Sequence, residues 1–326
     1  MIDFDNFPKF SEEDFKQWIT ELTPIEEHSG YSVKRDDLFN LGGISGGKVR
    51  QCAKLVYDNL DFINEKCNGG ILTASGIPSP QSCIVSAVAK YFGLKCIITI
   101  PYYPNHIIDS FRVNASLSQR FGAKVYGCGN PNTSGPELDA KYLVQETGYF
   151  QVKFGMNGKE VIETISNQVE NVPDYVDTIV GIAGSGLSML GVAKGCKKFN
   201  KNVKDIYAVS LSNYIIQNKS KWYDTLEDNE RFDGNFNIVN SNFPYQYKLK
   251  LEESLPLDQT YEAKAWEWMT NNLKPEKNIL FWDVGIKEYD LNYIQEINWY
   301  KSEYERILDT ETRQKHKVIE HNFFNE

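Results

Sequence analysis

The chain has 326 residues, 41% of them hydrophobic and 24% charged, with a formal net charge of −9. That length accommodates two domains around a sizeable core. The acidic balance argues against a protein that coats nucleic acid or an anionic membrane. Cys52, Cys67, Cys83, Cys96, Cys128 and Cys196 are scattered with no C-x-x-C pair, so buried free thiols and no metal are expected. Met1-Ile2-Asp3-Phe4-Asp5 lacks the basic-then-apolar order of a signal peptide, and no apolar run approaches the length of a membrane span. A reducing, cytoplasmic compartment is expected.

In chain order, the first informative stretch is Lys34-Arg35-Asp36-Asp37-Leu38, running into Gly42-Gly43-Ile44-Ser45-Gly46-Gly47-Lys48-Val49-Arg50. Val49, Cys52, Ala53, Val56 and Leu60 keep one helical face, so Lys48 opens a predicted helix. A lysine held there can serve as an amine nucleophile if its surroundings lower its pKa. Binding a phosphate at the helix N-terminus is the rival use. The stretch is not a P-loop: its glycine spacing is wrong, and valine follows Lys48 where a magnesium-binding hydroxyl belongs.

Strand and helix then alternate. Strands are expected at 70–74, 96–100, 124–127 and 148–152, with helices at 81–92, 106–121 and 137–146. A second set follows, with a helix at 159–171, a strand at 177–182, a helix from Met189 and a strand at 205–210. Residues 213–247 have no clean period and read as an excursion, and 278–282 reads as the last core strand. The tail from Leu291 carries apolar residues at helical spacing. Repeated strand–helix–strand units indicate α/β architecture, with continuous β-branched runs buried on both faces of parallel sheets. Trp266, Trp268, Phe281 and Trp282 are expected in the core.

The second motif is the strand-to-helix turn Gly184-Ser185-Gly186-Leu187-Ser188. Its backbone amides, the helix dipole and the Ser188 hydroxyl suit a phosphate, although an ordinary tight turn has the same residues. It is not a dinucleotide fingerprint, because the next glycine, Gly191, stands too far on. A lysine on one helix start and a phosphate cup on another together suggest pyridoxal phosphate, which needs an amine and an anion site.

At these residues the chain resembles the tryptophan-synthase-β-like, fold type II pyridoxal-phosphate enzymes. The nearest branch is that of aminocyclopropane-carboxylate deaminase and D-cysteine desulfhydrase. Five blocks carry the resemblance in order: Val33–Leu38 with Gly46–Arg50, Thr73–Ser82, Phe154-Gly155-Met156 with the helix bearing Gln168, Gly184–Ser188, and Leu257–Ala265. The resemblance implies two open, twisted, mostly parallel sheets with flanking helices and a cofactor cleft between two domains. The larger domain would comprise 1–47 and 160–326, the smaller 48–159.

By the same resemblance, Lys48 forms the cofactor Schiff base and moves protons. Gly184, Ser185, Gly186, Leu187 and Ser188 hold the cofactor phosphate, and Ser79, Gln81 and Ser82 bind the substrate carboxylate. Tyr261 is a second acid/base or a packing residue. Two departures stand out. Pro80 occupies the position of the branch's ring-contacting asparagine, making the substrate loop divergent. Asp283-Val284-Gly285 replaces H-T-G after the last strand, so Asp283 either faces the pyridine nitrogen or caps a turn.

The implied activity is a lyase or deaminase on an amino acid or amino-acid-like amine, with β-replacement next, in a homodimer. Two other readings stay open: a fold type II protein that binds a phosphorylated ligand with altered catalysis, and a phosphoribosyltransferase. The latter expects paired acids at a strand end, whereas Asp177 begins its strand.

Overall fold

A computed structural model of the protein describes residues 2–102, 109–129, 134–211, 226–245, 247–275, 278–285, 289, 291–303 and 306. Backbone contacts divide the chain into two compact units, Met1–Asn59 with Gly155–Tyr289, and Leu60–Phe154 with Asp290–Glu326. The sequence reading places its boundaries at 47/48 and 159/160; the division by backbone contacts lies at 59/60 and 154/155.

The larger unit begins with α1 (Glu12–Thr20), where the Ser11 hydroxyl accepts from the Asp14 N–H as a helix cap. Strands β1 (Ile25–His28) and β2 (Tyr31–Arg35) form an antiparallel hairpin. A small ribbon of β3 (Asn40–Leu41) and β4 (Ile44–Ser45) leads into α2 (Gly47–Asp58). Gly46 enters that helix at φ 116°, a region that disfavours any side chain. Val49, Cys52, Ala53 and Val56 are buried as their spacing predicts. Leu60 starts the next helix instead, because α2 closes at Asn59, whose N–H returns to the Val56 carbonyl.

The smaller unit follows: α3 (Leu60–Lys66), β5 (Gly70–Ala74), α4 (Gln81–Phe92), β6 (Lys95–Pro101), α5 (Asp109–Arg120), β7 (Lys124–Cys128), α6 (Ser134–Thr147) and β8 (Phe150–Val152). The first residues of the helix expected from 106 lie outside the described residues.

The chain returns to the larger unit with α7 (Lys159–Asn167), β9 (Tyr175–Ala183), α8 (Leu187–Lys198), β10 (Asn202–Ser210), β11 (Asn235–Asn240), α9 (Glu262–Asn272) and β12 (Ile279–Asp283). Its six-stranded sheet runs β1-β2-β12-β9-β10-β11, parallel throughout except for β1. Helix α7 stops at Asn167, short of the expected 171. Helices α7 and α8 approach closely through Gly191 and Gly195: a Cβ on Gly195 would stand 2.5 Å from the Ser166 carbonyl oxygen.

Two elements differ from the sequence reading. Within the supposed excursion, β11 pairs with β10 as a parallel edge strand, while 212–225 and 246 lie outside the described residues. In the tail, β13 (Trp299–Tyr300) adds to the β7 edge, giving a five-stranded parallel sheet β13-β7-β6-β5-β8. Trp299 packs edge-on to Tyr102 at 4.9 Å between centroids, and aromatic packing on the sheet wins over helical spacing. The core of the larger unit contains Trp266 and Phe281, in T-shaped contact at 5.1 Å, with Trp268 packed against it; Trp282 is also fully buried.

Candidate cofactor site

Lys48 stands in the first turn of α2 and is half-buried. Desolvation lowers the pKa of its amine from the usual 10.5, opposed by the Glu262 carboxyl. The backbone before it is fixed: the Gly47 N–H donates to the Val284 carbonyl at 3.3 Å. A Cβ on Gly47 would collide with Asp36 Oδ2.

The turn Gly184–Ser188 joins β9 to α8. Gly186 has φ 88°, ψ −12°, a left-handed conformation suited to glycine, and turns the chain into the helix. The amides of Leu187 and Ser188 belong to the first turn of α8, where N–H groups have no intrahelical acceptor. Gly184 is exposed, and Ser185 and Ser188 are half-exposed. Gly155, at φ 71°, lies against this turn: a Cβ there would stand 2.8 Å from the Ser185 Cβ.

Tyr261 directly precedes α9, its N–H donating to Asp258 Oδ1 at 3.0 Å. Its ring lies beside the same turn, with Cε1 3.5 Å from where a Gly184 Cβ would stand. Its hydroxyl meets that of Tyr245 at 2.5 Å. Burial, then the neighbouring Tyr245, holds the Tyr261 phenol well above its usual pKa of 10. The structure thus brings Tyr261 to the phosphate-type turn, a relationship the spacing alone does not show.

Glu262, which sequence reasoning missed, follows Tyr261 and is only 2% exposed. Its Oε2 is buried without a hydrogen-bond partner among the described residues. Burial, Asp258 and Asp283 push its pKa well above the usual carboxylate range. Oε2 presses on Gly285, where a Cβ would overlap it. Asp283, at the end of β12, does cap a turn, its Oδ1 accepting from the Gly285 N–H at 3.2 Å. Its Oδ2 is also buried and unsatisfied, and burial followed by the Asp37 charge raises its pKa strongly. Two acids therefore converge on Gly285 from different elements, each with an orphaned oxygen. Only folding reveals this; in sequence, Glu262 reads as an ordinary acid in a first helical turn.

In the smaller unit, Ser79, Gln81 and Ser82 lie at the start of α4 and are buried. The Ser79 hydroxyl accepts from the Gln81 N–H at 3.3 Å. The Gln81 amide donates to Thr73 Oγ1 at 2.7 Å and to the Lys153 carbonyl at 3.0 Å, tying α4 to the strand ends. Both its amide hydrogens are thus engaged within the fold. Pro80, at the helix cap, contributes no side-chain hydrogen bond.

The residues of the larger unit suit pyridoxal phosphate. A desolvated amine, glycine-turn amides with a serine hydroxyl, and a buried acid with an orphaned oxygen answer its aldehyde, phosphate and ring nitrogen. Comparison with known proteins agrees. The chain belongs to the family described as pyridoxal-phosphate dependent enzymes, whose model matches residues 17–233. No curated protein matches the sequence.

Among solved structures, an ACC deaminase homologue is similar at 20% identity and TM-score 0.65, covering 86% of this chain and 92% of its own. Maize serine racemase is similar at 17% identity and TM-score 0.62, covering 95% and 97%. An O-acetylserine dependent cystathionine beta-synthase from Helicobacter pylori is similar at 15% identity and TM-score 0.59, covering 90% and 95%. At these identities the likeness establishes the shared fold.

Proposed function

We propose that this protein is a pyridoxal-phosphate-dependent lyase or deaminase acting on an amino acid or amino-acid-like amine, with Lys48 as the covalent anchor of the cofactor. The observation that carries this reading is the desolvated Lys48 amine in the same unit as the orphaned, buried Glu262 carboxyl. When bound, the cofactor supplies an electron sink for negative charge at the substrate α-carbon.

In this reading the amides of Gly184–Leu187 and the Ser188 hydroxyl hold the phosphate. Glu262 faces the ring nitrogen, and Asp283, whose Oδ1 is engaged by Gly285, stands behind it. Burial favours the neutral Lys48 amine, the form able to take a proton at the α-carbon. The same effect keeps Tyr261 protonated, as an acid for the departing group. Ser79, Ser82 and the loop amides bind the substrate carboxylate, with Gln81 bracing the loop. A homodimer in the cytoplasm completes the reading. All six cysteines are free and buried, which accords with a reducing compartment. No described helix is long and apolar enough to cross a membrane.

Borohydride treatment with peptide mapping tests the anchor. A visible band that disappears as Lys48 gains a pyridoxyl mass supports it, and a colourless protein left unmodified in the presence of pyridoxal phosphate refutes it. Pro80 favours a second reading, a cofactor-binding protein with altered catalysis. A Lys48 that is trapped while a screen of amino acids gives no keto acid, amine or sulfide product would favour that alternative.

A further inference from the structure

One carboxylate touches α2 on both sides of Lys48. Asp36 Oδ1 accepts from Arg50 Nη1, two residues beyond the lysine, and from Thr23 Oγ1 at 3.4 Å. Asp36 Oδ2 lies against Gly47, one residue before it, so closely that a Cβ there would overlap both Oδ2 and Cγ. The carboxylate is itself clamped. The Arg50 guanidinium stacks on Phe39 at 4.1 Å and donates through Nη2 to the Glu21 carbonyl at 3.2 Å. Asp36 and Arg50 are both almost completely buried.

A buried ion pair is a poor source of net stability, because removing two charges from water offsets most of their attraction. Its value here is geometric. From these contacts we infer that Asp36 is the positioning residue for Lys48: it acts as a wedge that sets where α2 begins and therefore where the lysine amine stands. Glycine at 47 is the complement of the wedge. The Val284 carbonyl, accepting from the Gly47 N–H, fixes the same residue by a second contact. This inference rests on the reading of Lys48 as the functional amine.

Three full-length variants test it. Gly47→Ala forces the helix start or the carboxylate to move. Asp36→Ala/Arg50→Met removes the wedge without leaving a lone charge. Asp36→Asn/Arg50→Gln keeps a side chain of the same shape against Gly47 and removes both charges. Two readouts are taken on proteins whose melting shows them folded. One is the rate of borohydride-trappable bond formation between Lys48 and pyridoxal phosphate. The other is the pH dependence of Lys48 acetylation by acetic anhydride, read by peptide mass, which needs no cofactor.

A displacement on the order of 1 Å can cost about a hundredfold in a reaction that depends on alignment. Gly47→Ala and Asp36→Ala/Arg50→Met are therefore expected to slow trapping by about that factor. They should also move the Lys48 acetylation midpoint toward that of an exposed lysine. Asp36→Asn/Arg50→Gln should behave like the unsubstituted protein. The inference is overturned if Gly47→Ala leaves the acetylation midpoint unchanged, or if the shape-conserving pair is as impaired as the wedge-free one. Should the double variants fail to fold, Gly47→Ala alone decides. Failure of the cofactor reading shows separately, as absence of trapping in the unsubstituted protein, and the acetylation profile still judges the wedge.

Discussion

The phenolic oxygens of Tyr245 and Tyr261 stand 2.5 Å apart, and Lys264, three residues beyond Tyr261, secures the arrangement. Its amine donates to the carbonyls of Pro244 and Tyr245 at 3.0 and 2.9 Å. One tyrosine thus immediately precedes α9, and the first turn of that helix holds the backbone that presents the other. As the proposed acid, Tyr261→Phe should lower kcat by about 10²- to 10⁴-fold while leaving cofactor trapping intact. Tyr245→Phe should cost less, and the double variant no more than Tyr261→Phe alone, because the two hydroxyls act as one unit. Steady-state kinetics on the three variants checks this, and strict additivity would argue against a shared role.

Glu262 supplies a different expectation. Glu262→Gln should still anchor the cofactor on Lys48, so the trapped mass remains, while turnover falls because an amide can neither give up nor take back a proton shared with the ring nitrogen. Gly285→Ala places a methyl group on the Glu262 carboxyl. It should destabilise the protein by about 1–3 kcal/mol through overpacking, measured by denaturant unfolding.

Lys34 is fully buried, donating to the Thr23 carbonyl at 2.7 Å and Asn171 Oδ1 at 2.6 Å. Burial lowers its pKa from 10.5 to about 7, against the pull of Asp36. The unfolded chain therefore binds the extra proton between those values, and stability should rise with pH across that window. Below about pH 7 both states are protonated and the full penalty remains, on the order of 5 kcal/mol. Lys34→Met should remove this rise in urea unfolding between pH 7 and 10, and an unchanged slope would show that Lys34 titrates normally.

The contact between α7 and α8 makes a purely structural prediction. Gly195→Ala drives a methyl into the Ser166 carbonyl and the Val169 side chain. Despite better helix propensity, a net loss of about 1–3 kcal/mol is expected from overpacking, read as a lowered unfolding midpoint.

Much of this architecture was visible in the pattern of residues. The β-branched runs around Ile98 and Ile179 identify buried parallel strands, and the glycines before Lys48 and around Ser185 identify the two helix starts that matter. What escaped has physical causes. Strand β11 alternates asparagine with apolar residues at a sheet edge, so it lacks a buried strand's signature. Trp299 and Tyr300 keep a helical spacing but gain more by packing on Tyr102 and Tyr126. Gln81 reads as a side chain for the substrate carboxylate, and its amide hydrogens reach Thr73 and Lys153, a pairing set by tertiary contacts. Glu262 acquires significance only when β12 brings Gly285 against it.

The place of β12 also bears on how the protein is made. This strand lies between β2 and β9, near the middle of the six-stranded sheet, although it is the last of the six to leave the ribosome. Until residue 279 has emerged, β2 and β9 lack their shared neighbour, and both present open pairing edges that invite association with other chains. Closing such long-range pairings is intrinsically slow. Because Asp283 and Gly285 arrive with that final insertion, the acid cluster can assemble only after nearly the whole larger unit has been synthesised. A nascent chain cut off just before this point would retain Lys48, the glycine turn and Glu262 but would lack Asp283 and Gly285 altogether.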